Sequence, residues 1–447
     1  MADMTADLIA RLQHGGVQWL DIAFLDYNGI PRARAIAAEN AESAFGRGVN
    51  FSSPTVDFNS RDLFPPGAAF DLSSPDVWAR ADPRGYRQLK GSPGRALVLA
   101  DLVDAAGDPW IGCPRSALKR QIEVAAGRNL SFNVGFEPEG YLFRSEGAKV
   151  TFAGPAYFAG LDGLDLFPEF MEALLAELAG AGLTVDQWSE EYGPGQVEVN
   201  LRYAPALDAA DNLVTFRHIF RDVAHRYGLL GTFMPKPFEG QVGSGLHVHL
   251  SAVSPNGGPN LFDDPADRYG LSATARYALA GLLRHAPALL ALGASTVNSY
   301  KRFLPGSWAP THVTWGYASR AAFIRVPERE TPRRLEIRSG DGAGNPYLYL
   351  TGILAAMLDG ITRGQEPSDQ QVGDVGALSP SGAAKRGIAP LPRTLDEALN
   401  ALAADPVIRD ALGPVIPEEY IKVKRSEWEA FCLHVGEWDR AWYLRRY

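Results

Sequence analysis

Five short segments of the chain alternate apolar and polar residues, as a β-strand does when one face packs against a core. They span 133–143, 196–201, 245–251, 322–326 and 334–339. Long amphipathic stretches between them predict helices over 114–126, 168–178, 206–227, 270–292 and 346–362. No regular βαβ rhythm is present, so the pattern predicts an α+β fold with a mainly antiparallel sheet.

The first hundred residues have a different pattern. Leu8, Ile9 and Leu12 predict a short helix that ends at Gly15 and Gly16. Residues 17–24 and 32–37 predict a hairpin around the turn dipeptide at 28–29, whereas the Pro, Gly, Asp and Ser content of 52–94 predicts irregular connections. We therefore expect a small N-terminal domain over 1–104 and a larger domain over 105–447. A Gly/Pro/Ser-rich connection at 364–393 is long enough to be functional or mobile.

Polar side chains share one face of several predicted strands, because residues i and i+2 of a strand point the same way. The residues on these faces are Glu137 and Glu139, Glu198 and Asn200, His247 and His249, and Arg334, Glu336 and Arg338, with Glu190 and Glu191 just before one strand. Each pattern alone is common on a solvated strand face. Together they predict an oxygen-rich site that suits Mg²⁺ or Mn²⁺ rather than structural zinc.

Charge and cysteine content exclude several functions. The 43 Lys and Arg against 52 Asp and Glu give a net charge of −9, which argues against nucleic-acid or anionic-membrane partners. Cys113 and Cys432 cannot form a disulfide framework, and the N-terminus lacks a secretion pattern, so we expect a cytoplasmic protein without a membrane segment. A dense basic cluster nevertheless favours phosphoryl chemistry beside metal-bound carboxylates. It comprises Lys301, Arg302, Arg320, Arg325, Arg333, Arg334 and Arg338.

The chain resembles the glutamine synthetase superfamily over nearly its whole length. The matching stretches, in order, are EPEGYLF, EEYGPGQVEVN, GTFMPKPF, GSGLHVHLS, NSYKRFLPG, FIRVP, RRLEIRSGD and NPYLYLTGILAAMLDGI. This resemblance implies a β-grasp-like N-terminal domain and a catalytic domain whose curved antiparallel sheet forms a half-barrel backed by helices. It also implies a homo-oligomer with active sites between subunits, as a dodecamer of two hexameric rings.

Carried over residue by residue, the resemblance implies roles for the residues above. One metal site would comprise Glu139, Glu191 and Glu198, with Glu190 the alternative to Glu191, and a second site Glu137, His247 and Glu336. ATP would contact His249, Ser251 and Arg325, and glutamate would contact Gly243, Arg302 and Arg338. Arg320, Arg338 and Trp308 would lie at the reacting groups. The implied reaction forms a γ-glutamyl phosphate from ATP and glutamate, and an amine then displaces the phosphate.

Two departures from the family concern the amine. Trp308 occupies the loop position where glutamine synthetases carry a glutamate that helps take a proton from ammonia, and Asn50, Ser52 and Ser53 lie where an ammonium-binding aspartate is expected, with Asp57 a few residues beyond. An indole cannot accept that proton, but its face can hold an alkylammonium through roughly 0.5–2 kcal/mol of cation–π attraction. We therefore expect a ligase that uses an organic amine, like the γ-glutamylpolyamine and γ-glutamylmonoamine synthetases. The alternatives are an ordinary glutamine synthetase, in which Trp308 only packs its loop, and a non-enzymatic relative.

Overall fold

Two β-sheets organise the chain in the computed structural model, which describes residues 2–14, 16–92, 94–147, 149–328, 332–373 and 375–447. The first sheet has the order β2-β1-β5-β4-β3. Its strands are β1 (Trp19–Leu25), β2 (Pro31–Ala37), β3 (Val49–Ser52), β4 (Asp76–Gln88) and β5 (Arg95–Val103). The predicted hairpin is confirmed, since β1 and β2 pair antiparallel from Trp19 opposite Ala37 to Leu25 opposite Pro31.

The prediction of irregular structure over 52–94 is wrong for 76–88, which form the long strand β4. Val77, Ala79 and Ala81 are buried along one face of this strand, so the alternation is present but is carried by small side chains. The pairing of β4 with β5 shifts register between Ala81 and Tyr86, where Pro83 interrupts the ladder. The strand was not predicted because Pro83, Ala79 and Ala81 are not residues typical of a strand.

The second sheet has nine strands and is mainly antiparallel, as predicted. Its strands are β6 (Ser131–Glu146), β7 (Lys149–Phe152), β8 (Val185–Glu190), β9 (Gln196–Pro205), β10 (Leu230–Thr232), β11 (Leu246–Val253), β12 (Trp315–Tyr317), β13 (Ile324–Val326) and β14 (Leu335–Gly340). The order is β12-β13-β14-β11-β6-β9-β8, with β7 and β10 also paired to β6. The long strand β6 is therefore central, between β11 and β9. All five strands expected from alternation are present.

Helices pack around these sheets, and all five predicted over 114–362 are found, one of them divided. The helices are α1 (Ala2–His14), α2 (Ala41–Gly46), α3 (Pro114–Ala126), α4 (Pro168–Gly180), α5 (Ala206–Arg226), α6 (Ala273–Arg284), α7 (Ala286–Gly293), α8 (Pro346–Arg363), α9 (Pro380–Lys385), α10 (Leu395–Ala404), α11 (Pro406–Leu412), α12 (Ile416–Leu433) and α13 (Glu437–Tyr443). The helix expected over 270–292 is broken at His285, because Pro287 has no N–H to continue the hydrogen-bond ladder. The expected N-terminal helix is α1, while Gly15 lies outside the described residues.

The connection over 364–393 is only partly irregular. It contains α9 and a small apolar cluster of Val375, Ala383 and Ile388. Among the described helices, none combines the length and the apolar character that crossing a bilayer requires. Both cysteines are free thiols, Cys113 buried and Cys432 exposed.

A buried set of ion pairs joins the first sheet to the helices beside the second. We call it the Arg115 network: Arg115 and Lys119 of α3, Asp82 of β4, Asp101 of β5 and Asp211 of α5. The Arg115 guanidinium donates to both carboxylate oxygens of Asp211 at 3.0 and 2.7 Å, and to Asp82 and Asp101 at 2.9 Å each. Burial opposes charge at Asp82, but Arg115 and Lys119 hold the pKa of that carboxyl well below its usual range. The strands of the first sheet all precede residue 105 in the sequence, and those of the second sheet all follow it. The division into domains at 104/105 remains a prediction.

Candidate active site

Acidic side chains from three strands of the second sheet meet the histidines of a fourth strand on one face. β6 carries Glu137 opposite His247 of β11, and Glu139 opposite Glu198 of β9. Glu336 of β14 lies opposite the next histidine of β11. Opposite residues of paired strands have Cβ atoms about 5 Å apart, so strand register alone assembles this group. We call Glu137, Glu139, Glu191, Glu198 and Glu336 the carboxylate cluster.

Two groups of three potential metal ligands lie within this region among the described residues. One comprises Glu137, His247 and Glu336, and the other Glu139, Glu198 and His247; in each, the ligand atoms lie within 4.8 Å of one another. The first group is the same set as the second predicted metal site. The second group contains two of the three residues of the first predicted site, with His247 in the place of Glu191. The ligand roles themselves remain predictions.

Glu190 and Glu191 point to different surroundings, although they are neighbours in sequence. The Glu190 side chain is buried away from the cluster and accepts a hydrogen bond from the backbone N–H of Tyr157 at 2.8 Å. Glu191 lines the same cavity as Glu139 and Glu198. Burial and the charge of Glu139 raise the pKa of Glu191 to about 7. The placement therefore favours Glu191 as the member of the site.

The carboxylate cluster divides into members that protein cations neutralise and members that they do not. Although burial opposes charge at Glu336, His249 and Arg338 lower its pKa to about 2. At Glu137 burial also opposes charge, yet the neighbouring histidines lower the pKa. In contrast, burial and the charges of Glu137 and Glu139 raise the pKa of Glu198 to about 9. The neighbouring side chains supply too little positive charge to neutralise Glu198. Carboxylate oxygens that the protein does not neutralise suit a hard divalent cation.

Hydrogen bonds orient the two carboxylates of β6. Gln196 donates from Nε2 to Oε2 of Glu139 at 2.8 Å, and the backbone N–H of Gly245 donates to the same oxygen at 2.7 Å. Asn200 donates from Nδ2 to Oε1 of Glu137 at 2.9 Å. Gln196 is not among the site residues predicted above, but alternation along β9 places it on the same face as Glu198 and Asn200. The same pattern could have identified it.

Two cavities meet at the carboxylate cluster, and Glu139, Glu191, His247 and Trp308 line both. The larger has a volume of about 690 Å³ and is also lined by the predicted ATP-binding residues His249, Ser251 and Arg325, and by Arg320 and Arg334. The smaller has a volume of about 240 Å³ and is also lined by the predicted glutamate-binding residues Gly243, Arg302 and Arg338. All the predicted site residues line at least one of these two cavities except Glu336, which lies with Glu137 and His247 in the first ligand group.

The basic cluster is not a single unit. Arg325 donates to Oε2 of Glu336 at 2.7 Å, and Arg338 bridges Oε1 of Glu336 and the backbone carbonyl of Arg320. Lys301 and Arg333 do not line either cavity. The Lys301 ammonium lies over the ring of Phe431, and Arg333 donates to the carbonyl oxygen of Pro327.

The amine-side residues lie in two places. Trp308 lies in the loop after the NSYKRF stretch and packs edge-on against Tyr192 and Phe158, two residues that the sequence pattern did not identify. Asn50 lies on β3 in the other sheet, where it accepts a hydrogen bond from Arg34 and donates to Asp76. Asp57 is fully buried and lines neither cavity. Within one chain, Trp308 alone of the predicted amine-side positions contacts the site.

Comparison with known proteins defines the class of protein, a ligase of the glutamine synthetase type. The family model described as the glutamine synthetase catalytic domain matches residues 111–443, so the chain belongs to the glutamine synthetase family. The glutamine synthetase of Halobacterium salinarum is 34% identical over 455 residues, covering 100% of this chain and 98% of that protein. The glutamate–methylamine ligase of Methyloversatilis universalis is 33% identical over 448 residues, covering 97% of each.

A solved structure confirms the expected fold. The GmaS–ADP complex superposes with a TM-score of 0.87 and 32% identity, covering 98% of this chain and 99% of that one. The expected α+β fold of the glutamine synthetase type and membership of its superfamily are therefore confirmed.

Proposed function

We propose that the protein is an ATP-dependent ligase that joins the γ-carboxyl group of glutamate to an organic amine through a γ-glutamyl phosphate. The observation that carries this proposal is Trp308, which lies where both cavities meet and where the family resemblance expects a proton-accepting glutamate. The similarity to a glutamate–methylamine ligase supports it. A γ-glutamylpolyamine or γ-glutamylmonoamine would be the product, depending on the amine.

We assign the larger cavity to ATP and the smaller to glutamate. His249, Ser251 and Arg325 would contact ATP, while Gly243, Arg302 and Arg338 would hold glutamate. The Cβ that a side chain at Gly243 would add comes within 2.7 Å of a backbone oxygen and 2.5 Å of the Arg302 side chain. This position therefore requires glycine, and its backbone can approach a small ligand closely.

We assign divalent cations, Mg²⁺ or Mn²⁺, to two ligand sets. Glu139, Glu191 and Glu198 would hold one, and Glu137, His247 and Glu336 the other. The raised pKa of Glu198 fits this assignment, because carboxylates that repel one another need an external cation to stay ionised together. Such ions, when bound, neutralise phosphate oxygens and draw charge from the transferring group.

The two transfers then follow from the arrangement of the arginines. A γ-carboxylate oxygen of glutamate attacks the γ-phosphorus of ATP, and ADP leaves. Arg320 and Arg338, joined by the hydrogen bond from Nε of Arg338 to the carbonyl oxygen of Arg320, would stabilise the charge on the transferring phosphate. The amine nitrogen then attacks the acyl carbon, and the leaving phosphate takes up the proton that the nitrogen releases, because the indole of Trp308 cannot accept it.

Ordinary glutamine synthesis is the second candidate. The similarity to the glutamine synthetase of Halobacterium salinarum over the whole chain favours it. ADP release should be measured with glutamate, ATP and Mg²⁺ and with ammonium, methylamine, ethanolamine, putrescine or an aromatic amine, and the amide identified by mass spectrometry. We expect amides of organic amines, and efficient turnover of ammonium alone would refute the proposal. Trp308→Glu should shift preference toward ammonium, while Tyr227→Glu, at an exposed position after α5, serves as the matched control.

A catalytically silent relative would bind no ATP with Mg²⁺ in calorimetry, and we expect binding. We also propose a homo-oligomer, a dodecamer of two hexameric rings, in which neighbouring subunits complete the amine side. Several large apolar side chains of the C-terminal segment are exposed in a single chain, which supports assembly. They are Leu433, Val435, Trp438, Trp442 and Leu444. Light scattering coupled to gel filtration tests the subunit number.

A further inference from the structure

We propose that Phe158, Tyr192 and Trp308, together with an apolar cavity beside Trp308, form the subsite for the substituent of the amine. This subsite selects an uncharged apolar substituent, an aryl ring or an alkyl chain, over one that carries a second ammonium group. The inference rests on the proposed function, since it names the class of amine that the ligase takes.

The three rings form one apolar surface, which we call the aromatic cluster. Phe158 and Tyr192 stack with centroids 3.8 Å apart and planes inclined by 11°. Trp308 meets Tyr192 edge-on at 5.4 Å and Phe158 at 6.4 Å. Each of the three is between 43% and 49% exposed. Large aromatic side chains left half-exposed beside a cavity provide area that a ligand of similar character can cover.

The hydroxyl group of Ser307 anchors the loop directly before Trp308. Ser307 Oγ lies 2.8 Å from the carbonyl oxygen of Arg302 and 2.6 Å from that of Leu304, and it accepts a hydrogen bond from the backbone N–H of Leu304. Trp308 has a φ of 62°, in the left-handed region that a bulky side chain rarely adopts. A strained conformation persists where surrounding contacts enforce it, and such positions concentrate at ligand sites. The backbone carbonyl of Arg302, a predicted glutamate-binding residue, thus anchors Ser307, the residue directly before Trp308.

A third cavity, of about 180 Å³, lies beside Trp308 and also contacts Gly306 and Ala309 of the smaller cavity. Its volume exceeds the roughly 150 Å³ of an apolar protein cavity that holds benzene, so one ring or a four-carbon chain fits. Its apolar lining is Leu304, Trp308, Ala309 and Ala321. The cavity is continuous in its lining with the predicted glutamate pocket, which places a substituent next to the reacting carboxyl group.

Charge decides between classes of substituent. Among the described residues, the lining of the third cavity contains Arg320 and no carboxylate, whereas Glu139 and Glu191 line only the other cavities. A second ammonium group placed here would be repelled by the Arg320 guanidinium and would lose its water. The indole face of Trp308 attracts a cation. No carboxylate in the described lining of this cavity adds to that attraction, so the repulsion between the second ammonium group and Arg320 is not offset. An alkyl or aryl group has neither cost.

Butylamine and putrescine make the sharpest test, because they differ only by the second ammonium group. The purified full-length enzyme with Mg²⁺, ATP and glutamate should give kcat/KM for butylamine and benzylamine at least about tenfold above that for putrescine, which is the scale on which a pocket discriminates. Leu304→Ala should lower the ratio of kcat/KM for benzylamine to that for methylamine. Ala309→Glu, which adds a carboxylate to the lining, should raise putrescine relative to butylamine by about tenfold.

Tyr227→Ala removes an exposed aromatic side chain outside these cavities and should leave both ratios unchanged. Putrescine used as well as butylamine by the wild type, or ratios that neither Leu304→Ala nor Ala309→Glu moves, would overturn this inference while leaving the ligase function intact. Glutamine formed from ammonium, with no amide from any organic amine, would refute the proposed function and this inference with it.

Discussion

The Arg115 network and the carboxylate cluster are two buried groups of acids with opposite solutions to the same electrostatic problem. In the Arg115 network, Asp82, Asp101 and Asp211 surround a guanidinium and an ammonium, and the pKa of Asp82 is lowered. In the carboxylate cluster, the pKa values of Glu191 and Glu198 are raised to about 7 and about 9. Burial opposes charge in both groups, so the difference comes from the cations that the chain supplies.

This difference distinguishes a structural role from a functional one. Buried acids that Arg or Lys side chains of the same protein neutralise can hold structural elements together. The Arg115 network does so between β4, β5, α3 and α5. A group with surplus negative charge is incomplete without a ligand, and the surplus marks where the ligand belongs.

Removing the central cation of the Arg115 network should be costly for stability. Arg115→Met leaves the buried Asp82 and Asp211 and the partly buried Asp101 with the ammonium of Lys119, which contacts only Asp82 and Asp101. We expect the free energy of unfolding to fall by about 3–5 kcal/mol. Urea titration followed by circular dichroism measures it. Lys119→Met is the matched control and should cost less, because Lys119 is partly exposed. Equal midpoints for Arg115→Met and the wild type would contradict the prediction.

Removing one surplus charge from the carboxylate cluster should harm catalysis instead. For Glu198→Gln we expect kcat to fall by about 10² to 10³-fold, the cost of losing one preorganised electrostatic group. Without divalent metal, the free energy of unfolding at pH 7 should stay about the same, since a carboxyl group with a pKa of about 9 is already protonated there. Glu190→Gln is the control on the adjacent strand, where the carboxylate only caps the Tyr157 N–H. A larger activity loss for Glu190→Gln than for Glu198→Gln would contradict the placement of Glu198 inside the carboxylate cluster and of Glu190 outside it.

Divalent metal should stabilise the protein through the carboxylate cluster and not through the Arg115 network. Mg²⁺ at about 100 times its Kd should add about 2.7 kcal/mol of stability, seen as a higher Tm by calorimetry. Arg115→Met should keep this increment, Glu198→Gln should lose most of it, and chelation should reverse it. An increment that Glu198→Gln retains in full would place the metal elsewhere.

His285 provides an intermediate case, a titratable cation between two carboxylates. Burial alone would lower its pKa, but its hydrogen bonds to Asp405 and Asp359 outweigh this and raise the pKa above 6.5. The folded state therefore binds the proton more tightly than the unfolded state, so the stabilisation is complete below pH 6.5 and is lost as the pH rises through the folded pKa. His285→Gln should flatten this dependence in urea titrations across pH 5.5–9 and should cost about 1 kcal/mol at the acid end. A wild-type profile without any such decline would contradict it.

Much of the fold could be predicted because its strands and helices carry clear periodicities. The strand over 133–143 and the helix over 114–126 have the apolar spacing that burial of one face requires, and both are observed. β4 could not be predicted, since alanines and a proline carry its pattern. The break at His285 is caused by Pro287. It was not predicted, because the apolar periodicity over 270–292 continues through this proline.

The site also contains residues that could be predicted from the sequence and residues that could not. Glu137, Glu139, Glu198 and His247 could be chosen from alternation, because register places them opposite one another. Phe158 and Tyr192 could not, since they lie in connections without periodicity and meet Trp308 only in the folded chain. The opposite surroundings of Glu190 and Glu191 depend on how the chain leaves β8, which the sequence pattern does not report.

The central position of β6 has a consequence for folding. Its Glu137 meets His247 from 110 residues further along the chain, and Glu336 joins from a strand beyond that. Loop closure over such distances precedes any favourable contact between these side chains, so no local fragment contains the ligand set. The appearance of tight metal binding during refolding should therefore coincide with completion of the whole sheet, and would serve as a kinetic reporter of the native topology.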